Sequence, residues 1–107
     1  MSGAPNPARG EAAIRVNGST ITLRPSFAAL VAAEAELGSL IALVSRAAEQ
    51  RLTLGEMVAL FWHCRHGAPD TLTREVLGEA VVAQGIAAVT PALTMVLRQI
   101  LAGRPGG

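Results

Sequence analysis

An Asn-Gly pair between two short alternating segments is the feature that most constrains the fold of this chain. Asn17-Gly18 is typical of two-residue type I′ hairpin turns, because both central positions of that turn need a positive φ. A two-residue loop fixes the strand register, so we expect Ile14 opposite Ile21 on one apolar face. A lone hairpin is marginal in water, and this face must therefore lie on the rest of the protein. The predicted hairpin covers residues 12–24.

The chain after the hairpin has the pattern of short helices, and the first four of them begin at a capping residue. Ser26, Ser39 and Thr73 are favourable N-cap residues, and Thr53 with Glu56 matches a capping box. The predicted helices cover residues 27–37, 40–51, 54–66, 74–84 and 87–102. The fold class is therefore α+β and mostly α, with a two-stranded antiparallel hairpin packed on a compact bundle of four to five short helices.

The length of 107 residues indicates a single domain, which we assign to residues 11–102. Residues 1–10 form a lead of small residues and proline that we expect to be disordered, and residues 103–107 are expected to form a flexible tail. The chain has one Trp, two Phe and no Tyr, so its core must be built mainly from aliphatic side chains.

Charge and cysteine content exclude several functions. The nine basic residues are all arginine, the formal net charge is +1, and no basic run is present, so we expect no nucleic-acid partner. The single cysteine, Cys64, has no partner for an intramolecular disulfide, which favours a reducing cytoplasm.

Residues 80–97 carry no charge and raise the question of a membrane span. Polar and helix-breaking residues interrupt the segment at Gln84, Gly85 and Pro91, and a spanning helix needs about 20 predominantly apolar residues. Residues 1–10 also lack the apolar centre of a signal peptide. We therefore expect no membrane partner.

The sequence HCRH at residues 63–66 invites a metal-site interpretation. It offers three potential ligands at one helix end, but the chain has no further His or Cys. The chain also lacks a phosphate-binding glycine loop and a plausible catalytic triad. We expect no metal, no cofactor and no enzymatic activity.

The third predicted helix has apolar residues over an arc of about 200°, wider than the roughly 100° that a surface helix buries. One interpretation is a central helix covered on several sides. The other is that one edge of this helix, carrying Trp62, remains free for a partner, because Trp is enriched among interface anchors. Trp62 is therefore the candidate partner-binding residue.

A carboxylate interrupts the predicted apolar face of the first helix. That face consists of Phe27, Leu30, Val31 and Leu37. Glu34 lies in its middle, and Arg65 lies inside the apolar arc of the third helix. Because a buried lone carboxylate is costly, a buried ion pair between Glu34 and Arg65 is one hypothesis, with Arg24 and Arg15 as other partners. The alternative is a carboxylate that reaches solvent.

The fifth helix presents a longer apolar face, with Met95 predicted on its polar side together with Arg98. The residues predicted on the apolar face are Ile86, Val89, Leu93, Val96, Leu97, Ile100 and Leu101.

Residues 9–102 resemble a family of small proteins encoded in the tail clusters of gene transfer agents and related prophages. The shared pattern is an RGE motif, a short hairpin ending in LRP, then Ser-Phe and an acidic, alanine-rich helix ending in LG. In this chain the pattern is carried by Arg9-Gly10-Glu11, Leu23-Arg24-Pro25, Ser26-Phe27, residues 34–38, Leu72-Thr73 and Gly85.

The resemblance implies a tail assembly chaperone that acts in the bacterial cytoplasm. Its expected partners are the tail tape-measure protein and, as a second candidate, the tail tube protein. The main alternative is a structural tail subunit that stays in the particle, and a more distant one is an antitoxin-like or transcriptional regulator. The resemblance carries no functional residue over to this chain.

Overall fold

The computed structural model describes residues 11–103 and contains three strands and five helices in that range. The predicted disordered lead (1–10) and all but the first residue of the predicted tail (103–107) lie outside these residues. The α+β, mostly helical fold class is confirmed. The elements are β1 (Ala12–Val16), β2 (Ser19–Leu23), α1 (Phe27–Leu37), α2 (Leu40–Ala48), α3 (Leu54–Cys64), β3 (Arg65–His66), α4 (Arg74–Gln84) and α5 (Ile86–Ala102).

The hairpin forms with the predicted turn and register. Asn17 and Gly18 have φ angles of 51° and 82°, and Ile14 pairs with Ile21 across the antiparallel strands. Both isoleucines are buried, as is Leu23 at the end of β2. Strand β1 contacts α4 and α5, so the apolar face of the hairpin covers one side of the helical core.

The structure contains a third strand that was not predicted from the sequence. Because this strand follows α3 directly, the helix ends two residues earlier than predicted. Arg65 and His66 pair antiparallel with β2, opposite Leu23 and Thr22 respectively, so the sheet order is β1-β2-β3. The extended backbone of Arg65 (φ −57°, ψ 139°) breaks the helix after Cys64. The predicted helix 54–66 is thus corrected to Leu54–Cys64, because pairing with β2 replaces the last helical hydrogen bonds.

Helix α2 ends at Ala48 rather than at residue 51. Gln50 adopts a left-handed conformation with φ 59°, and the Arg51 amide donates to the Arg46 carbonyl at 2.8 Å. This is the Schellman arrangement, in which the residue after the C-cap, here the one after Glu49, is usually glycine. Because glutamine occupies that position here, the sequence does not signal the end of the helix. Helix α5 begins at Ile86, one residue before the predicted start.

Helix α3 is the central element of the core. Its buried residues are Met57, Val58, Ala59, Leu60, Phe61 and Cys64. This burial on several sides explains the wide apolar arc and supports the first of the two interpretations of the sequence. The helix starts at the predicted capping box, in which the Glu56 amide donates to the Thr53 hydroxyl and the Thr53 amide donates to the Glu56 carboxylate.

Helix α1 turns a different face to the core than predicted. Phe27 is 85% exposed and Val31 is 49% exposed, whereas Ala33 is completely buried. Leu30 and Leu37 do pack against the core, in part. The small Ala33 side chain lets α1 approach its neighbour α3 closely, so the large side chains at the opposite edge are left outside.

Candidate interaction surfaces

The first candidate surface is centred on Trp62, which is half-buried against the core. The guanidinium carbon of Arg65 lies 3.5 Å from the centroid of the Trp62 ring, and that of Arg74 lies 5.9 Å from it. The Arg65 side chain also donates to the Trp62 carbonyl at 2.6 Å. These contacts form a cation–π stack, in which the ring attracts a cation to its face. Trp62 is therefore partly covered by charge, and its role as a partner anchor stays a prediction.

The Glu36 carboxylate on α1 connects side chains of two other helices at this surface. Glu36 accepts two hydrogen bonds from the Arg74 guanidinium, at 2.6 and 2.9 Å, and its Oε1 lies 2.8 Å from His63 Nε2. The hydrogen bonds from Arg74 and His63 lower the pKa of Glu36 to about 2, and the same contact raises the pKa of Arg74. Helices α1, α3 and α4 thus meet at one ionised carboxylate, which the sequence does not reveal because Arg74 and His63 are far from Glu36 in the chain.

In the structure, Glu34 and Arg65 do not form the predicted ion pair and have other partners. Glu34 is exposed, and its Oε2 accepts a hydrogen bond of 3.1 Å from the Leu40 amide at the start of α2. Arg65 is stacked on Trp62 instead. The prediction was wrong because it assumed that the face of α1 carrying Phe27 and Glu34 is buried.

The residues of the HCRH sequence have separate partners. His63 contacts Glu36, and the His66 ring lies 3.5 Å from the Arg24 guanidinium. Cys64 lies between the two histidines in the sequence. Its thiol is buried, and this burial raises the pKa of the thiol to about 12. Across residues 11–103, no group of three or more His, Cys, Asp or Glu side chains is placed to hold a metal ion.

The second candidate surface is a groove between α2 and α5, with a volume of about 280 Å³. Its walls are almost entirely aliphatic, and Arg98 is the charged residue among them. The groove is lined by Val44, Ala47, Ala48, Thr94, Leu97, Arg98 and Leu101. Leu101 is 74% exposed, although we expected it to lie on the buried face of the fifth helix. Met95, expected on the polar side, instead packs in part against the core.

Ile41 extends the apolar surface of the groove, whereas Phe27 exposes an apolar side chain that is not part of the groove lining. Ile41 is 80% exposed and precedes Val44 by one turn, on the same face of α2. Phe27 lies on the outer face of α1. An exposed apolar patch such as the one formed by the groove and Ile41 marks an interaction site more often than a single exposed residue does. The sequence gives no separate signal for the groove, because Leu97 and Leu101, which line it, were predicted to lie on the apolar face of the fifth helix.

No single helix within residues 11–103 is long and apolar enough to cross a membrane. Two pairs of consecutive helices, α1 with α2 and α4 with α5, reach the required length and composition only together, and each pair is bent, by 77° and 120° respectively.

Comparison with known proteins places the chain in a family. A family model described as phage tail tube protein, GTA-gp10, matches residues 9–103, which is nearly the whole chain. No curated protein and no solved structure gives a significant match. The resemblance drawn from the RGE, LRP and LG motifs is thus confirmed at the level of tail proteins. The chain belongs to this family and is a phage or gene transfer agent tail protein.

Proposed function

We propose that this tail protein is an assembly chaperone that binds the tape-measure protein while the tail is built. The observation that carries the proposal is the apolar groove between α2 and α5, together with the exposed side chains of Ile41 and Leu101. A long helical client that is prone to aggregate needs apolar contacts, and an open apolar groove offers them.

The proposed activity is binding rather than catalysis. It uses no metal or cofactor, takes place in the bacterial cytoplasm, and has proteins rather than nucleic acids or membranes as partners. Because apolar contacts dominate the groove and Arg98 is the charged residue in its lining, we expect binding to weaken only modestly as the salt concentration rises.

A structural subunit that stays in the tail is the second candidate function. The family description, phage tail tube protein, favours it. In that case the groove and the exposed face of α1 would be covered by neighbouring subunits in the finished particle. The two functions differ in one observable, namely whether the protein remains in the particle.

Co-expression with the tape-measure protein of the same gene cluster tests the proposal. We expect the soluble yield of the tape-measure protein to rise several-fold when this protein is present, and the two proteins to co-purify. The control is an unrelated helical protein of similar size, expressed at the same level. Equal solubility with the control would contradict the chaperone function.

A further inference from the structure

We propose that the groove between α2 and α5 binds one amphipathic helix of the client, and that this helix carries a carboxylate at the edge of its apolar face. This inference rests on the proposed chaperone function and names the surface and chemistry that it uses. It follows from the shape of the groove, from its helical walls and from the lack of a partner for the Arg98 guanidinium within residues 11–103.

Both walls of the groove present side chains at helical spacing. On α2 the lining residues are Val44, Ala47 and Ala48, and on α5 they are Thr94, Leu97, Arg98 and Leu101. Ile41 continues the stripe of α2 by one turn towards its N-terminus. Rows of aliphatic side chains on two neighbouring helices form the kind of groove into which the apolar face of a third helix packs.

The groove is poorly suited to a small polar ligand. Small-molecule sites are clefts of about 300–1,000 Å³ that enclose most of the ligand, with a few convergent polar groups that fix its orientation. This groove has a volume of about 280 Å³ and offers one guanidinium and one hydroxyl, from Arg98 and Thr94. Its lining therefore favours an apolar helix over a cofactor or metabolite.

Arg98 provides the chemical selectivity. Within residues 11–103, the other arginines have an ion pair, a hydrogen bond or a ring contact, whereas Arg98 has none. A helix seated in the groove would remove part of this guanidinium from water. Arg98 is exposed in the free protein. Because partial desolvation of an unpaired charge is costly, the groove favours an occupant with a carboxylate that meets this guanidinium.

The outer face of α1 is a matched control surface with the opposite charge. It exposes Phe27 and Val31, and the carboxylate at its edge is Glu34. A helix selected by Arg98 would therefore be disfavoured there. Phe27→Glu places a charge on an even more exposed apolar residue than Leu101→Glu does, without touching the groove.

The experiment measures binding of the purified full-length protein to the tape-measure protein, with Arg98→Glu, Leu101→Glu and Phe27→Glu compared with wild type. We expect Leu101→Glu and Arg98→Glu to weaken binding at least about tenfold, and Phe27→Glu to leave it within about twofold. Unchanged circular dichroism spectra and melting temperatures verify that each variant is folded, as the exposure of these side chains predicts.

A photo-crosslinking amino acid at position 101 then identifies the occupant. We expect a crosslink to one client segment with helical apolar periodicity and an acidic residue at its edge. Changing that acidic residue to arginine should restore binding to Arg98→Glu. A crosslink to a second copy of this chain, or to a segment without an acidic residue, would overturn the inference.

The outcomes separate the two proposals. If wild type binds the client but both groove variants bind equally well, the groove inference fails and the chaperone function stands. If wild type does not bind the client at all, the chaperone function fails, and the groove inference fails with it.

Discussion

At the scale of single residues, the Glu36 carboxylate links three helices through its contacts with two side chains. It accepts hydrogen bonds from Arg74 on α4 and contacts His63 on α3, and these contacts hold its pKa at about 2, against an ordinary value of 4.5. A folded-state pKa below the unfolded value stabilises the fold above the unfolded pKa, and this contribution is lost as the pH falls towards the folded pKa.

We therefore expect Glu36→Gln to lower the melting temperature by a few degrees at pH 7 and to have little effect near pH 2. Thermal melts of both proteins between pH 7 and pH 2 measure the difference. Glu79→Gln, on an exposed position of α4, is the control and should show no such trend. A difference between wild type and Glu36→Gln that stays constant over this range would show that the carboxylate charge contributes nothing.

Cys64 gives a second prediction at this scale. Its thiol is fully buried and burial raises its pKa to about 12, so the reactive thiolate is nearly absent at neutral pH. We expect no reaction with a disulfide reagent such as dithionitrobenzoate at pH 8 in the folded protein, and rapid reaction of one thiol in denaturant. Fast labelling without denaturant would mean that α3 opens at its C-terminal end.

At the scale of elements, the apolar face of the hairpin is essential to the fold. Ile21 is 3% exposed on the apolar face of the hairpin, so its replacement by Asp would place a charge in the core. We expect Ile21→Asp to cost on the order of 3–5 kcal/mol or to abolish folding. Thr20→Asp, on the exposed face of the same strand, should cost far less in urea denaturation. Similar losses for both variants would mean that the two faces are equally buried.

The end of α2 offers a stabilising substitution. Gln50 has φ 59°, in the left-handed region that favours glycine. We expect Gln50→Gly to raise the free energy of unfolding by about 1 kcal/mol, measured by urea denaturation. Gln50→Ala keeps the strain and should give no gain. Equal effects of glycine and alanine would refute the left-handed conformation.

The sequence predicts those elements whose signals are local. The Asn17-Gly18 turn determines the strand register, and hydroxyl caps such as Ser26 start the helices where expected. Strand β3 escapes prediction because two residues have no periodicity, and the end of α2 escapes it because Gln50 replaces a glycine. The apolar face predicted for α1 was wrong in part: Leu30 and Leu37 pack against the core as expected, but the small Ala33 is buried in place of Phe27 and Val31.

At the scale of the whole molecule, the described residues carry two distinct surfaces. One is the charged cluster that joins α1, α3 and α4 through Glu36, and the other is the aliphatic groove between α2 and α5. The interaction site expected from the sequence, at Trp62, lies in the charged cluster, where Arg65 covers the ring. The position of the groove is not encoded in a local sequence pattern, because the exposure of Leu101 depends on how two helices distant in sequence pack.

The protein content of finished particles tests the central claim most directly. The chaperone account predicts that quantitative mass spectrometry finds this protein bound to the tape-measure protein in assembling cells and nearly absent from purified particles. Tail tube and tape-measure proteins in the same sample serve as internal standards. Recovery of this protein from purified particles in a fixed stoichiometry with the tail tube protein would contradict the account and establish a structural subunit instead.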